Sequence, residues 1–293
     1  MMTRTENLFS RLRAGEVFLA DGATGTMLQS LGLEDGRLPE SWVLEQPDRV
    51  RALHQSYVEA GSNLVLTCTL GGTRFRLTHE GLEGRVPELN RRAAELARQA
   101  AGDDAFVAGD MGSTGHLLAP LGPLTAAEAA DGYAEQAAAL VEGGVDFLLV
   151  ETLSDLAEAR AAVEGARRVT DLPIFVTFSF DTHGRTMMGV RPAQAAQEMA
   201  PLVEGLGANC GRDPDEYPGF LEAMAAAAPG TILWAKPNAG LPHLEGDMAV
   251  YDAGPAYMAG VALRLRQAGA QVIGGCCGTT PAHVAAMAES LAR

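Results

Sequence analysis

The stretch Gln271-Val272-Ile273-Gly274-Gly275-Cys276-Cys277-Gly278-Thr279-Thr280-Pro281 decides the fold. Its apolar start reads as a short buried strand that ends in two glycines. Two adjacent cysteines follow. Thr280 then has the form of a helix N-cap, with Pro281 at the first helical position. The two thiols therefore sit where a strand turns into a helix. Working back along the chain, the same unit recurs: a short apolar run, a loop with glycine or an acid, then an amphipathic segment rich in Ala, Leu, Glu and Arg. There are eight such runs: Val17–Ala20, Leu64–Thr67, Phe106–Gly109, Phe147–Val150, Ile174–Phe178, Gly205–Asn209, Ile232–Lys236 and Gln271–Gly274.

The intervening segments read as helices. Pro47–Ala60 carries Val50, Leu53, Tyr57 and Val58 on one face and stops at Gly61. Pro87–Ala101 stops at Gly102. Thr125-Ala126-Ala127-Glu128 is a capping box opening a helix to about Glu142. Ser154–Val169, Pro192–Val203 and Pro255–Ala268 complete most of the set. Alternating helices and nearly continuous apolar strands imply a parallel sheet. Eight repeats in 293 residues predict an α/β fold, a single (β/α)8 TIM barrel over residues 1–293, with an open doubly wound sheet as the alternative.

Apolar residues make up 47% of the chain, enough for a large core. Lys plus Arg number 22 against 37 Asp plus Glu, a net charge of −15, which argues against nucleic acid and anionic membranes as partners. No window reaches the ~18 consecutive apolar residues of a membrane span. The N-terminus lacks the basic-then-apolar pattern of a signal peptide, so the chain reads as cytoplasmic. Four cysteines in such a chain are expected to be free, metal-bound or catalytic.

In a barrel, function gathers at the C-terminal ends of the strands. Those ends read Asp21, Thr67-Cys68, Asp110, Glu151, Ser179, Asn209-Cys210, Pro237-Asn238 and Cys276-Cys277. Cys210 and the Cys276-Cys277 pair come from strands two positions apart, so their thiols can converge on one zinc ion. Three thiolates with no fourth protein ligand fit a zinc site with an open position, and soft sulfur donors select zinc over magnesium or calcium. Such a site suits holding and deprotonating the thiol of a small substrate. The plainer alternatives are buried, inert cysteines or a redox pair. Glycines on both sides of the vicinal pair favour a site, because they permit close backbone approach. Cys68 reads as a packed or rim residue, Asp110 as a loop-fixing one, and the six histidines as structural or surface.

Six pieces of the chain carry a family resemblance: Asp21-Gly22-Ala23-Thr24-Gly25-Thr26, Thr67-Cys68-Thr69, Glu151-Thr152, Asn209-Cys210, Lys236-Pro237-Asn238-Ala239-Gly240-Leu241-Pro242 and Gly274-Gly275-Cys276-Cys277-Gly278-Thr279. Together they resemble the homocysteine S-methyltransferase family, which includes betaine- and S-methylmethionine-dependent enzymes and the homocysteine module of cobalamin-dependent methionine synthase. The resemblance implies the barrel, zinc on Cys210, Cys276 and Cys277, and homocysteine as methyl acceptor. It also implies that Asp21 and Glu151 lie near the substrate amino group. One piece departs from the pattern: the family usually has Thr-Asn-Thr where this chain has Thr67-Cys68-Thr69.

The residues themselves agree with these roles. A zwitterionic amino acid needs a carboxylate for its ammonium, as Asp21 and Glu151 offer, and donors for its carboxylate. Backbone N–H groups of Gly22-Ala23-Thr24-Gly25 can form an anion nest. As simple alternatives, Asp21 is a turn residue and Glu151 a helix-start charge. Asn209 is a further candidate for substrate binding, although strand alternation points its side chain away from that of Cys210. The implied reaction is in-line attack of zinc-bound homocysteine thiolate on a methyl donor, forming methionine. No cobalamin or folate module is evident after the barrel. The expected donors are therefore a separate methyl-corrinoid protein or methylfolate system, or S-methylmethionine. Betaine ranks last, because its quaternary ammonium wants an aromatic cage and the chain has two tryptophans and five tyrosines. The competing classes are a zinc-free enzyme with a cysteine nucleophile and a non-catalytic homocysteine- or zinc-binding protein.

Overall fold

In a computed structural model, the eight apolar runs pair as one parallel sheet. The structure describes residues 2–181, 183–211, 213–245 and 248–292. The strands are β1 (Phe18–Leu19), β2 (Leu64–Leu66), β3 (Phe106–Met111), β4 (Phe147–Leu153), β5 (Ile174–Phe178), β6 (Gly205–Cys210), β7 (Ile232–Pro237) and β8 (Val272–Ile273). Their order is β1-β8-β7-β6-β5-β4-β3-β2. A parallel bridge from Ala20 to Leu64 brings β1 back to β2, giving a single (β/α)8 barrel. Side chains hold this seam. Asn63 Oδ1 accepts the Leu19 N–H at 2.8 Å, and Asp21 Oδ2 accepts the Leu66 N–H at 2.8 Å.

The helices follow the expected pattern. Helix α1 (Arg4–Arg13) has no counterpart in the sequence reading; the segments expected from the pattern appear as Pro47–Glu59, Val86–Ala101, Ala126–Glu142, Leu156–Arg167, Pro192–Met199, Pro255–Gln267 and Pro281–Leu291. The Thr125–Glu128 capping box is present. Strands β3 and β4 run further than expected, so Asp110 and Glu151 lie within strands and not after them. A register shift between Val150 and Leu153 marks a bulge there, with Thr152 at φ +61.

Two layers fill the barrel interior. At the bottom, Phe9, Phe18, Phe106, Phe147, Phe175, Ile232 and Trp234 form a cluster of their own with Leu8 and Leu12 of α1. Helix α1 thus plugs the end opposite the strand C-termini. The glycines of β6 make this possible: a Cβ on Gly205 would lie 2.2 Å from the Phe175 ring, and one on Gly207 2.0 Å from the Trp234 carbonyl oxygen. Phe175 and Trp234 rings lie 5.5 Å apart. Phe175→Ala is expected to lower stability by about 3–5 kcal/mol, read by denaturant unfolding, because little can collapse into the gap. The period of two along each strand then sets the upper layer. Phe106-Ala108-Asp110, Phe147-Leu149-Glu151 and Ile232-Trp234-Lys236 run up the inner face, so aromatic floor gives way to charged groups at the mouth. No described helix is long and apolar enough to cross a membrane.

A hairpin, Pro242–Glu245 paired antiparallel with Met248–Tyr251, follows β7 and was not anticipated. Its base is tied to the β8 loop: Ala239 N–H donates to Cys277 O at 2.9 Å, and Ala253 N–H to Ala239 O at 3.0 Å.

Candidate metal centre and substrate cavity

The ends of β6 and β8 bring Cys210, Cys276 and Cys277 together, with all three Sγ atoms within 4.8 Å of one another. All three are free thiols. Cys210 sits at φ +60 and Gly211 at φ +71. A left-handed conformation costs a non-glycine residue about 1–3 kcal/mol and persists where surroundings enforce it. Here the Tyr217 hydroxyl fixes it by donating to the Cys210 carbonyl at 2.7 Å.

Asn238 explains the Pro-Asn piece of the sequence. Its Nδ2 donates to Gly211 O at 2.7 Å and its Oδ1 accepts the Cys277 N–H at 3.1 Å. One side chain thus ties the Cys210 loop to the vicinal pair. Cys276 N–H donates to Pro237 O at 2.7 Å, and the Thr279 hydroxyl to Cys276 O at 2.6 Å. Gly275 is required by this packing, since a Cβ would meet Thr279 Cγ2 at 2.4 Å. Tyr251 of the hairpin packs on Gly278, beside the vicinal pair. Asn238→Ala is expected to weaken zinc binding about 10- to 100-fold, measured by competition with a chromophoric chelator, as is usual when a group that orients ligands is lost.

The three thiols fit zinc. Tetrahedral bonds of about 2.3 Å place sulfurs about 3.8 Å apart, inside the 4.8 Å that bounds the three here. No fourth His, Cys, Asp or Glu donor joins the cluster among the described residues. Without a cation the thiols resist ionisation. The hydrogen bond with Cys276, together with burial, pushes Cys210 up to about 12, and the bond with Cys210, together with burial, does the same to Cys277.

Cys276 and Cys277 line a cavity of about 310 Å³, lined also by Gly22, Ala23 and Thr24, by Cys68, and by Glu40, Arg76, Asp110, Glu151 and Lys236. The Thr-Cys-Thr piece frames Asp110. Thr67 Oγ1 accepts the Asp110 N–H at 2.9 Å, while Thr69 Oγ1 donates to its carbonyl at 2.7 Å. Asp110 Oδ1, Glu151 Oε2 and Glu40 Oε2 are buried without a hydrogen-bond partner. Burial pushes the Glu151 carboxyl up to about 7, partly offset by Lys236. Burial, then the charge of Glu151, holds Asp110 well above the carboxylate range. Buried acceptors without donors mark a place for a cation or an N–H ligand.

The expected site residues divide accordingly. Glu151 faces the cavity. Asp21 is 1% exposed and already engaged: Oδ1 accepts from Lys236 Nζ at 2.6 Å, and Oδ2 takes the Leu66 N–H. Asn209 stands beside the cavity wall. Its Oδ1 accepts from Thr152 N–H and the Thr177 hydroxyl, its Nδ2 donates to Thr152 Oγ1, and it pins the bulge beside Glu151 without lining the cavity. Of the backbone nest, the Ala23 N–H is engaged by Thr279 O at 3.2 Å, and the Tyr57 hydroxyl holds Ala23 O. Lys236, Asp110 and Glu40 were not singled out for the site from the sequence. The inward phase of β3 and β7 was the signal for the first two; Glu40 lies on no strand and had none.

Comparison with known proteins agrees with this geometry. The family model described as homocysteine S-methyltransferase matches residues 18–291. The chain is 34% identical to methionine synthase of Mycobacterium leprae over 96% of its length and 25% of that protein's. It is also 34% identical to methionine synthase of Mycobacterium tuberculosis, over 94% of its length and 25% of the relative's. It therefore spans about a quarter of those relatives. Among solved structures it is similar to the metallated form of homocysteine methyltransferase MmuM from Escherichia coli, with a TM-score of 0.79, 25% identity, and coverage of 94% of this chain and 96% of that one. With nearly the whole barrel matched, the chain belongs to the homocysteine S-methyltransferase family.

Proposed function

We propose that this chain methylates homocysteine on sulfur to form methionine, with zinc held by Cys210, Cys276 and Cys277. The observation that carries this is a three-thiol cluster, two of whose cysteines line a cavity that is also lined by carboxyl groups with unpartnered oxygens and by a buried lysine. Cys210, Cys276 and Cys277 would hold the zinc, which when bound would supply Lewis-acid stabilisation of a substrate thiolate near neutral pH. The residues of the chain do the rest. Glu151 and Asp110 offer oxygens to the substrate ammonium. Asn209 and Thr152 hold Glu151 in place, and Thr67 and Thr69 hold Asp110. The reaction forms a bond from homocysteine sulfur to the methyl carbon. It breaks the bond from that carbon to the leaving group, which departs with the electron pair. Acceleration comes from positioning and from the thiolate population, with no general base needed in the transition state.

The donor is a methyl-corrinoid or methylfolate system, or S-methylmethionine, ahead of betaine. No aromatic ring lines the cavity among the described residues, which disfavours recognition of a quaternary ammonium. The same lining holds no histidine to serve a cysteine nucleophile as base, which disfavours the zinc-free alternative. The test is methionine formation by zinc-loaded protein against methylcobalamin, methyltetrahydrofolate with a corrinoid protein, S-methylmethionine and betaine. Methionine from one of the first three supports the assignment. No methionine from any of the four removes it.

A further inference from the structure

The cavity of about 310 Å³ has more room than one small amino acid fills, within the range of about 300–1,000 Å³ that takes a drug-sized ligand. Asp110, Glu151 and the vicinal cysteines come from β3, β4 and the end of β8. Gln29, Pro39, Glu40, Leu70, Gly71 and Arg76 come instead from the connections after β1 and β2. This second part of the lining has no role in the chemistry above.

Two of its groups are charged, held in place and short of partners. Glu40 is 2% exposed. Its Oε1 accepts the Gly71 N–H at 2.5 Å, and its Oε2 has no partner. The fit is close, since a Cβ on Gly71 would meet the Glu40 carboxyl at 3.2 Å. Burial raises this carboxyl above its ordinary value, opposed by the Gly71 N–H and by the charge of Arg76. Arg76 is partly buried on the short helix Arg74–Leu77 and makes no salt bridge among the described residues. Its side chain lies against Gly115, where a Cβ would be 3.0 Å from Cδ and from Nη1. A buried carboxyl oxygen without a partner suits an N–H donor, and an unpaired guanidinium suits a carboxylate. An α-amino acid carries both on one carbon.

Cys68 accounts for the open oxygen. The family pattern has asparagine at this position, and an amide carries two N–H donors. Cys68 is 2% exposed, lines the same cavity and lies within electrostatic reach of Glu40 and Asp110. A thiol is a weak donor, and this one makes no hydrogen bond among the described residues. The Glu40 oxygen is thereby left to a ligand.

We propose that Glu40 and Arg76, with Cys68 leaving the Glu40 oxygen open, form a second amino-acid subsite that holds the methyl donor. The inference rests on the methylation of homocysteine proposed above. Of the donors considered there, S-methylmethionine has the ammonium and carboxylate that this subsite requires. Its methyl–sulfonium bond breaks with the electron pair moving to the donor sulfur, as the homocysteine thiolate bonds the methyl carbon. Both molecules leave as methionine, and the one proton released is that of the acceptor thiol.

The test is steady-state methionine formation by zinc-loaded protein at saturating homocysteine. The donors are S-methylmethionine, (3-aminopropyl)dimethylsulfonium, which lacks the carboxylate, and 4-(dimethylsulfonio)butanoate, which lacks the ammonium. Wild type, Glu40→Gln, Arg76→Met and Cys68→Asn are compared, and thermal melting reports which variants fold. The wild type should prefer S-methylmethionine about 10- to 100-fold in kcat/KM over each truncated donor, the range for a hydrogen bond to a charged group. Glu40→Gln and Cys68→Asn should lose the preference over the donor without an ammonium. Arg76→Met should lose the preference over the donor without a carboxylate. KM for homocysteine should not move in Glu40→Gln or Arg76→Met.

A wild type indifferent to truncation overturns the subsite without any variant having to fold. So do preferences that persist in folded Glu40→Gln and Arg76→Met, or methionine formed only from methylcobalamin or from methyltetrahydrofolate with a corrinoid protein. In each of these cases the methylation of homocysteine stands. A preference untouched by Cys68→Asn overturns the part given to Cys68. No methionine from any donor removes the function and this inference together.

Discussion

Replacing Cys210 with serine is expected to remove zinc from the purified protein and lower kcat/KM for homocysteine methylation by ~10³-fold or more, the several kcal/mol that a Lewis acid supplies. The barrel should survive. Cys210 ends β6 on the rim, outside the aromatic floor and the outer core. Its left-handed backbone is held by Tyr217 through the carbonyl, which serine retains. A folded, zinc-free and inactive variant is therefore the expected outcome. Unchanged circular dichroism and melting, together with metal analysis, check it. An active variant lacking zinc would favour a thiol acting without metal.

Glu151→Gln is expected to weaken homocysteine binding about 10- to 100-fold, since it removes the charge from the ammonium's partner. It should also change the pH profile. In the substrate-free protein, burial raises Glu151 to about 7, so the folded state keeps a proton there that the unfolded chain releases near the ordinary carboxylate value. Between those two values the native state binds more protons at this group. Its contribution to stability is therefore present at low pH and lost as pH rises through about 7. The substrate ammonium favours the ionised form. Homocysteine binding should then strengthen from pH 6 to 8 with an inflection near 7, beyond the slope due to the thiol proton. Calorimetric titrations should show that inflection in the wild type and not in Glu151→Gln. An identical profile in both would place the ammonium elsewhere.

Much of this was legible from local pattern. Each strand is a short apolar run that stands alone between glycines and amphipathic segments, so the parallel barrel and its rim follow from periodicity. The thiol cluster was legible for the same reason. Once β6 and β8 are placed two apart, Cys210 and the vicinal pair face one another.

What stayed hidden depends on partners distant in sequence. Lys236 looked like the end of an apolar strand, and its ion pair with Asp21, 215 residues away, appears only once the chain is folded. That same contact gives Asp21 a lysine partner beside its place in the β1–β2 seam, neither of which the sequence announced. Asp110 read as a loop residue because β3 was ended at Gly109; extending the inward phase from Phe106 through Ala108 reaches it. The hairpin after β7 carries a Gly246-Asp247 pair, a hairpin turn signal between alternating residues, but those two positions lie outside the described residues. Helix α1 was missed although Thr3 and Glu6 form a capping box at its start.

X-ray absorption at the zinc edge tests the central claim most directly. Protein reconstituted with one equivalent of zinc should show three sulfur neighbours at about 2.3 Å, and saturating homocysteine should raise the count to four at the same distance. Zinc bound mainly through nitrogen or oxygen, or a sulfur count unmoved by homocysteine, would contradict it.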